Sequence, residues 1–265
     1  MFQIILTLFE LLISLFDIDL LVLAKNKDKF LKNGIQVIVS DESVIKICND
    51  KLFTHSFLKK NNFNVPKTFI DINLAKKSLF LNELCFPLII KPRWGMGSIA
   101  IYKANNLNEL NVLYNKTLEE ISQTYLKYES KTDIENSVLI QEFLPGNEYG
   151  IEVVNDLVGE YVATLGKKKV AMRGGETDIA CSINEKRFSD QGKLLSKTLK
   201  HIANLDVDCF VKNEKIYILE MNARFGGQYP FSHLAGVNLP KQILSWVKGC
   251  KTDMNNFKIK SNVLI

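Results

Sequence analysis

Asp208, Glu220 and Asn222 offer three oxygen donors, and Arg224 adds a guanidinium two residues later; together they suit a divalent cation that serves phosphate chemistry. Segments 207–211 and 216–222 are rich in β-formers, and Lys212-Asn-Glu-Lys215 reads as the turn of a hairpin. Side chains alternate along a strand, so Glu220 and Asn222 are expected on one face with Ile216 and Ile218, and Tyr217, Leu219 and Met221 on the other. Asp208 joins them in only one register. A three-residue loop, 213–215, sets it opposite Glu220, whereas a two-residue loop pairs it with Leu219 and turns it away. The three-residue loop is therefore expected. A solvated acidic face on an edge hairpin is the plainer alternative, and the Glu-x-Asn-x-Arg spacing favours the metal reading.

A second candidate is Lys91-Pro-Arg-Trp-Gly-Met-Gly-Ser98, between expected strands at 87–91 and 99–103. Its glycines let the backbone bend closely over a phosphate beside Lys91. Gly95-x-Gly97-x-x-Ala100 imitates a dinucleotide fingerprint, but that fingerprint must open a helix, and a strand is expected here. No Gly-x-x-x-x-Gly-Lys-Ser/Thr run occurs. Residues 141–149 read as a strand end, a Pro-Gly bend and a second strand. The backbone there could meet an adenine and Glu148 a ribose, although such a bend is commonly only a turn.

The elements that must position these groups follow from periodicity. Residues 1–16 are apolar except for Gln3, Thr7, Glu10 and Ser14, which recur every three or four positions as the polar stripe of a helix. This run is too short for a membrane span and lacks a basic leader, so a core or subunit-interface helix is expected, with a homodimer contact as one use. Helices are expected around 25–33, 51–60, 75–80, 107–114, 118–125 and 191–202, and one after Asp41. Strands are expected at 35–40, 138–142, 149–154 and 159–164, and a mobile connection at 129–136. Lys167-Lys-Lys169 reads as a solvated turn, with some room for substrate contact. His55 and His201 read as surface or packing residues in helices, and His233 as a loop or helix cap near the acceptor side.

Composition bounds the rest. The 265 residues are 46% hydrophobic and carry a net charge of +5, with 34 basic and 29 acidic residues mixed along the chain, which argues against a nucleic-acid partner. The five cysteines form no Cys-x-x-Cys pair, so neither structural zinc nor a disulfide framework is expected, and a cytoplasmic location agrees with reduced thiols. Cys209 is expected to be a buried thiol.

In order and spacing, Lys51, Lys91-Pro with its glycine loop, 142–148, Asp208, Glu220, Asn222 and Arg224 resemble the ATP-grasp superfamily over about residues 45 to 245. Met172-Arg173-Gly-Gly-Glu176-Thr177 and Phe225-Gly-Gly-Gln228 are similar to the carbamoyl-phosphate-synthase-like single-module proteins. The resemblance implies an α+β or α/β chain with an ATP-grasp fold, two subdomains clasping a nucleotide. It divides the chain into a truncated Rossmann-like pre-grasp domain at 1–65, subdomain A at 66–140 and subdomain B, with the metal hairpin, at 141–265.

The resemblance also implies roles. Lys51 and Lys91 contact ATP phosphates, with Met96 and Gly97 folding over them. Glu142, Phe143 and Leu144 lie at adenine and Glu148 at ribose. Asp208, Glu220 and Asn222 hold Mg²⁺, with Mn²⁺ as an alternative, and Arg224 and Arg173 stabilise charge on the transferred phosphoryl. The implied activity is that of an ATP-dependent ligase: a small-molecule carboxylate is activated as an acyl-phosphate and attacked by an amine or another nucleophile, so that a C–N bond forms. The alternative is a nucleotide-binding regulatory or subunit protein that has lost turnover. Relative to the family, the first βα elements are expected to be missing and the chain to stop early after Trp246, which removes part of the acceptor site.

Overall fold

The computed structural model describes residues 10–265. The chain begins there with β1 (Leu11–Leu12), α1 (Asp17–Lys32), β2 (Gln36–Val37), α2 (Glu42–Asn49) and α3 (Lys51–Lys60). The expected N-terminal helix lies partly outside the described residues. Within them it is replaced by β1, which pairs in parallel with β2. Alternation explains the difference: Leu12 packs against one core cluster while Leu11 and Ile13 pack against another, which an extended segment allows.

β3 (Thr68–Phe69), α4 (Ile72–Phe80), β4 (Leu88–Pro92), β5 (Tyr102–Ala104), α5 (Leu107–Gln123), α6 (Leu126–Ser130) and β6 (Val138–Glu142) build an antiparallel sheet in the order β3-β6-β4-β5. The two helices expected at 107–125 are one, because Leu110, Leu113, Tyr114, Thr117, Leu118 and Ile121 continue a single apolar stripe. Leu110 and Ile121 pack with Leu88 and Ile90 of β4 and Val138 and Ile140 of β6. The strand expected at 99–103 is shortened to β5, since Ser98 and Ala100 take positive φ values of 55° and 56°. The expected mobile connection contains α6 and a 3-10 turn at Ile134–Asn136.

The second half is β7 (Asn147–Asn155), β8 (Tyr161–Arg173), β9 (Glu176–Ile183), α7 (Lys186–Leu199), β10 (Ala203–Lys212), β11 (Lys215–Asn222), α8 (Tyr229–Leu234) and α9 (Leu239–Val247). Its five strands form an antiparallel sheet in the order β11-β10-β7-β8-β9. One face carries Ile151, Val153, Leu205, Val207 and Cys209, buried against Phe188, Leu195 and Leu199 of α7 and against α2 and α3. Alternation then sends Glu148, Glu152, Asp206 and Asp208 to the opposite face. Lys167 and Lys169 share that face because Lys167 pairs with Gly150. The strand expected at 159–164 is only the start of β8, whose extension to Arg173 and the whole of β9 the sequence reading missed.

Among the described residues no helix is long and apolar enough to cross a membrane.

Candidate active site

Lys51 and Lys91 come from different elements, and one buried fork joins them. Asp50 caps α3 by accepting from the backbone N–H groups of Leu52 and Phe53, which leaves Lys51 as the first helical residue. Arg93, one residue past β4, donates to Asp50 through Nε and Nη2 at 2.8–3.0 Å and to Asp133 through Nη1 at 2.9 Å. The Lys51 backbone N–H also donates to the Arg93 carbonyl at 3.1 Å. The Lys51 ammonium meets the glycine loop by donating to the Gly95 carbonyl at 2.6 Å. At Gly95, with φ +102°, a Cβ would collide with Leu126, so the loop can sit this close to α6 only as glycine. Lys91 is buried. Burial, partly offset by Glu220 and Asp208, pulls its ammonium down to about 8.

The hairpin reaches its register by an unexpected route. Its turn has two residues, Asn213 and Glu214, both at positive φ, and Lys212 pairs with Lys215. The expected three-residue loop is therefore not formed. Asp208 nonetheless lies opposite Glu220, because the register shifts between Asp208 and Cys209 and Leu219 becomes the extra residue of a β-bulge. The bulge also breaks the expected alternation. Ile216, Ile218 and Met221 all bury in the core, while Leu219, Glu220 and Asn222 line the cleft.

Glu220 accepts no side-chain hydrogen bond among the described residues, and its nearest cation is Lys51 Nζ at 4.0 Å. Burial alone would raise its carboxyl, but Lys51, Lys91, Lys169 and Arg224 outweigh it and hold the carboxyl below the ordinary value. Its closest ion pair is thus a long one, and no hydrogen bond ties the carboxylate down. Asp208 Oδ1 instead accepts from Lys169 at 2.7 Å and from Gln228 Nε2 at 2.7 Å. Lys169 also reaches Glu148 at 2.5 Å, so one buried ammonium bridges the expected ribose carboxylate and the expected metal carboxylate. Burial works against that charge, yet Asp208 and Glu148 hold it above the ordinary lysine value. Burial also raises Glu148, against the pull of Lys169.

Beneath this layer, Lys167 pairs with Glu152 at 2.5 Å, and Ser232 bonds both: it accepts from Lys167 at 3.0 Å and donates to Glu152 at 2.5 Å. Burial, with Asp208 and Glu152 close by, pushes Asp206 up to about 8. Asp206 and Gln228 line the cleft and were not anticipated as site residues, and Lys169, expected in a solvated turn with some room for substrate contact, lines it from a strand. The signal was in the sequence: on a strand, 167 and 169 share a face, whereas a turn reading scatters them.

The cleft encloses about 330 Å³, within the range of about 300–1,000 Å³ usual for small-molecule sites. Lys51, Lys91, Met96, Gly97, Glu142, Phe143, Leu144, Glu148, Asp208, Glu220 and Asn222 all line it. Two expected catalytic residues do not. Arg173 is exposed at the β8–β9 tip and pairs with Asp178 at 2.8 Å. Arg224 lies behind the cleft, donating to Asp17 at 2.7 Å and Asp206 at 3.4 Å. His201 is buried away from the cleft with Nε2 2.9 Å from the Val153 carbonyl, and burial lowers it to about 4. His233 is exposed on α8.

A cation would be held by two carboxylates and one amide. Among the described residues no three His, Cys, Asp or Glu side chains form a complete metal cluster. Magnesium fits such a partial set, since it keeps waters and takes substrate phosphates as ligands, and Glu220, which accepts no side-chain hydrogen bond among the described residues, lines the cleft beside Asp208.

The family model described as "ATP-grasp domain" matches residues 48–228. The chain is 24% identical over 238 residues to the carbamoyl phosphate synthase large chain of Thermoanaerobacter sp., covering 86% of this chain and 21% of that relative. It is 25% identical over 225 residues to the alpha-aminoadipate–LysW ligase LysX of Sulfurisphaera tokodaii, covering 79% of this chain and 72% of the relative. In fold it resembles biotin carboxylase from Campylobacter jejuni, crystallised with β,γ-ATP, with a TM-score of 0.72 and 17% identity over 91% of this chain and 56% of that one.

Proposed function

The chain belongs to the ATP-grasp domain family, and on that premise we propose that it is an ATP-dependent ligase that activates a carboxylate as an acyl-phosphate for attack by an amine. The observation that supports this reading is the convergence of Lys51, Lys91 and Glu220 on a single cavity whose lining also includes Phe143, Leu144 and Leu219. In this reading the apolar walls take the adenine. The glycine loop and the two lysines take the phosphates. Asp208, Glu220 and Asn222 hold Mg²⁺, which when bound neutralises phosphate charge. Lys169 fixes Glu148 and Asp208 relative to each other, so the ribose and phosphate ends of the nucleotide meet one rigid charged unit. Arg224, tied to Asp17 and Asp206, acts on the reacting groups through their placement. Electrostatic positioning supplies the catalysis, with no protein nucleophile required.

Calorimetry with Mg²⁺-ADP, followed by ADP release in the presence of amino acids and other carboxylates, tests the reading. Saturable binding and acceptor-dependent release are expected, with release abolished in Glu220→Ala. Binding without release for any acceptor would support a regulatory nucleotide-binding protein instead.

A further inference from the structure

Asp208 commits one of its two carboxylate oxygens inside the protein. Oδ1 accepts from Lys169 Nζ and from Gln228 Nε2, each at 2.7 Å, whereas Oδ2 accepts no hydrogen bond among the described residues. An oxygen of this kind has two lone pairs, so two close donors saturate Oδ1. Neither donor exchanges readily for water, since the Lys169 side chain is 5% exposed and Gln228 is buried. Gln228 reaches Asp208 through a gap in the sheet. On the cleft face of β7, Gly150 stands between Glu148 and Glu152 and pairs with Asp208 on one side and Lys167 on the other. A Cβ there would lie 1.5 Å from Gln228 Oε1, so the amide occupies the place that a side chain at 150 would take. Its orientation follows from the chemistry: an ionised carboxylate only accepts, so the nitrogen faces Asp208, with a longer contact of 3.4 Å to Asp206 Oδ1. The amide oxygen is left buried with no donor among the described residues, which is unfavourable. What Gln228 contributes here therefore comes from its nitrogen.

We infer that Gln228 is a positioning residue that sets the cation selectivity of the cleft: by closing Oδ1 together with Lys169, it leaves Asp208 a single oxygen for a metal. This rests on the metal role of Asp208 in the ligase reading. Magnesium demands a near-ideal octahedron filled largely by waters and phosphate oxygens, and one oxygen from Asp208 serves it. Calcium is larger, takes about six to eight oxygens and gains from a carboxylate that turns both of its oxygens inward. Asp208 with a saturated Oδ1 offers no such pair. Glu220 accepts no side-chain hydrogen bond among the described residues, so the restriction lies at Asp208 and not at its cross-strand neighbour. Removing the Gln228 donor frees a lone pair on Oδ1 and loosens the direction in which Oδ2 points. Magnesium should lose by that change and calcium gain relative to it.

The test loads the chain with Mn²⁺, with and without ADP, follows free Mn²⁺ by electron paramagnetic resonance, and displaces the bound ion with Mg²⁺ or Ca²⁺. The unaltered chain should release Mn²⁺ to Mg²⁺ at a lower concentration than to Ca²⁺. In Gln228→Leu, whose apolar side chain keeps water from the vacated place, the ratio of the Ca²⁺ to the Mg²⁺ concentration required should fall roughly tenfold. Gly150→Ala evicts the same amide and should shift the ratio alike, and the two changes together should go no further. A merely structural role would weaken both cations equally and leave the ratio where it was. The inference is overturned if the ratio is unchanged in both variants, or if their shifts add in full. Should both variants fail to fold, equal displacement by Ca²⁺ and Mg²⁺ in the unaltered chain overturns it. Absence of Mn²⁺ binding would sink the metal reading and the inference together, whereas Mn²⁺ binding with an unmoved ratio sinks the inference alone.

Discussion

Asp208 lies directly across the strand ladder from Glu220, and it does so because Leu219 is one residue too many for a regular hairpin. A two-residue turn by itself would pair Asp208 with Leu219. The bulge absorbs that extra residue and turns Glu220 and Asn222 toward the cleft, while Met221 rejoins Ile218 in the core.

Deleting Leu219 should therefore be tolerated. The strand would become regular, Asp208 would still face Glu220, and only an apolar wall of the cleft would be lost. Deleting Met221 should not be tolerated, because it would carry Asn222 into the core position. Cooperative thermal unfolding of the first variant and aggregation or loss of cooperativity in the second are expected. Similar melting of the two would remove the bulge from the account.

That Glu220, Asn222 and Lys91 share one cleft was legible in the sequence because they sit near strand ends beside turn signals, where residue type and spacing carry the information. The bulge was not legible, since no residue in 216–222 marks it and only competition between core packing and turn geometry places it. Lys169 was missed for a related reason. Three consecutive lysines read as solvated unless the segment is known to be a strand with Glu148 on the adjacent strand and Asp208 on the strand beyond it. The N-terminal strand β1 was misread because the polar spacing of 1–16 also fits a helix, and strand pairing with β2 depends on residues more than twenty positions away.

The fork between Arg93 and Asp50 carries the alignment of Lys51 with Lys91. Both side chains are 7% exposed; removing Arg93 leaves Asp50 without its cation, and removing Asp50 leaves Arg93 held by Asp133 alone. Asp50→Ala should cost about 3–5 kcal/mol, since it also removes the cap of α3. Arg93→Lys keeps the charge but not the fork, and should cost less in stability while still weakening Mg²⁺-ADP binding. Urea unfolding and calorimetry separate the two effects; unchanged nucleotide affinity in Arg93→Lys would contradict the positioning role.

Lys167 and Glu152 form a fully buried pair beneath the cleft, closed by Ser232. Lys167→Met alone should destabilise by about 3–5 kcal/mol, because the partner carboxylate stays buried without its cation. Lys167→Met combined with Glu152→Leu should recover much of that loss. Additive losses in a double-mutant cycle of urea midpoints would show that the two side chains do not act as a pair.

Lys91 gives the site a pH signature. Its folded value of about 8 lies below the roughly 10.4 of an unfolded lysine, so between these values the unfolded chain holds more protons than the folded one. Stability contributed by this group therefore rises with pH across that window, and the full penalty of burying the charge is felt below about 8. Nucleotide binding should move the opposite way. Phosphate is held by the protonated ammonium, so Mg²⁺-ADP affinity should fall as pH climbs through about 8, with proton uptake on binding in the same range. Lys91→Met should bind weakly and lose this pH dependence while gaining stability near neutrality, since a methionine carries no charge to bury. Calorimetry in two buffers of different ionisation enthalpy measures the proton uptake directly. An affinity that stays flat from neutral pH to about 9 in the unaltered chain would show that Lys91 does not carry phosphate charge.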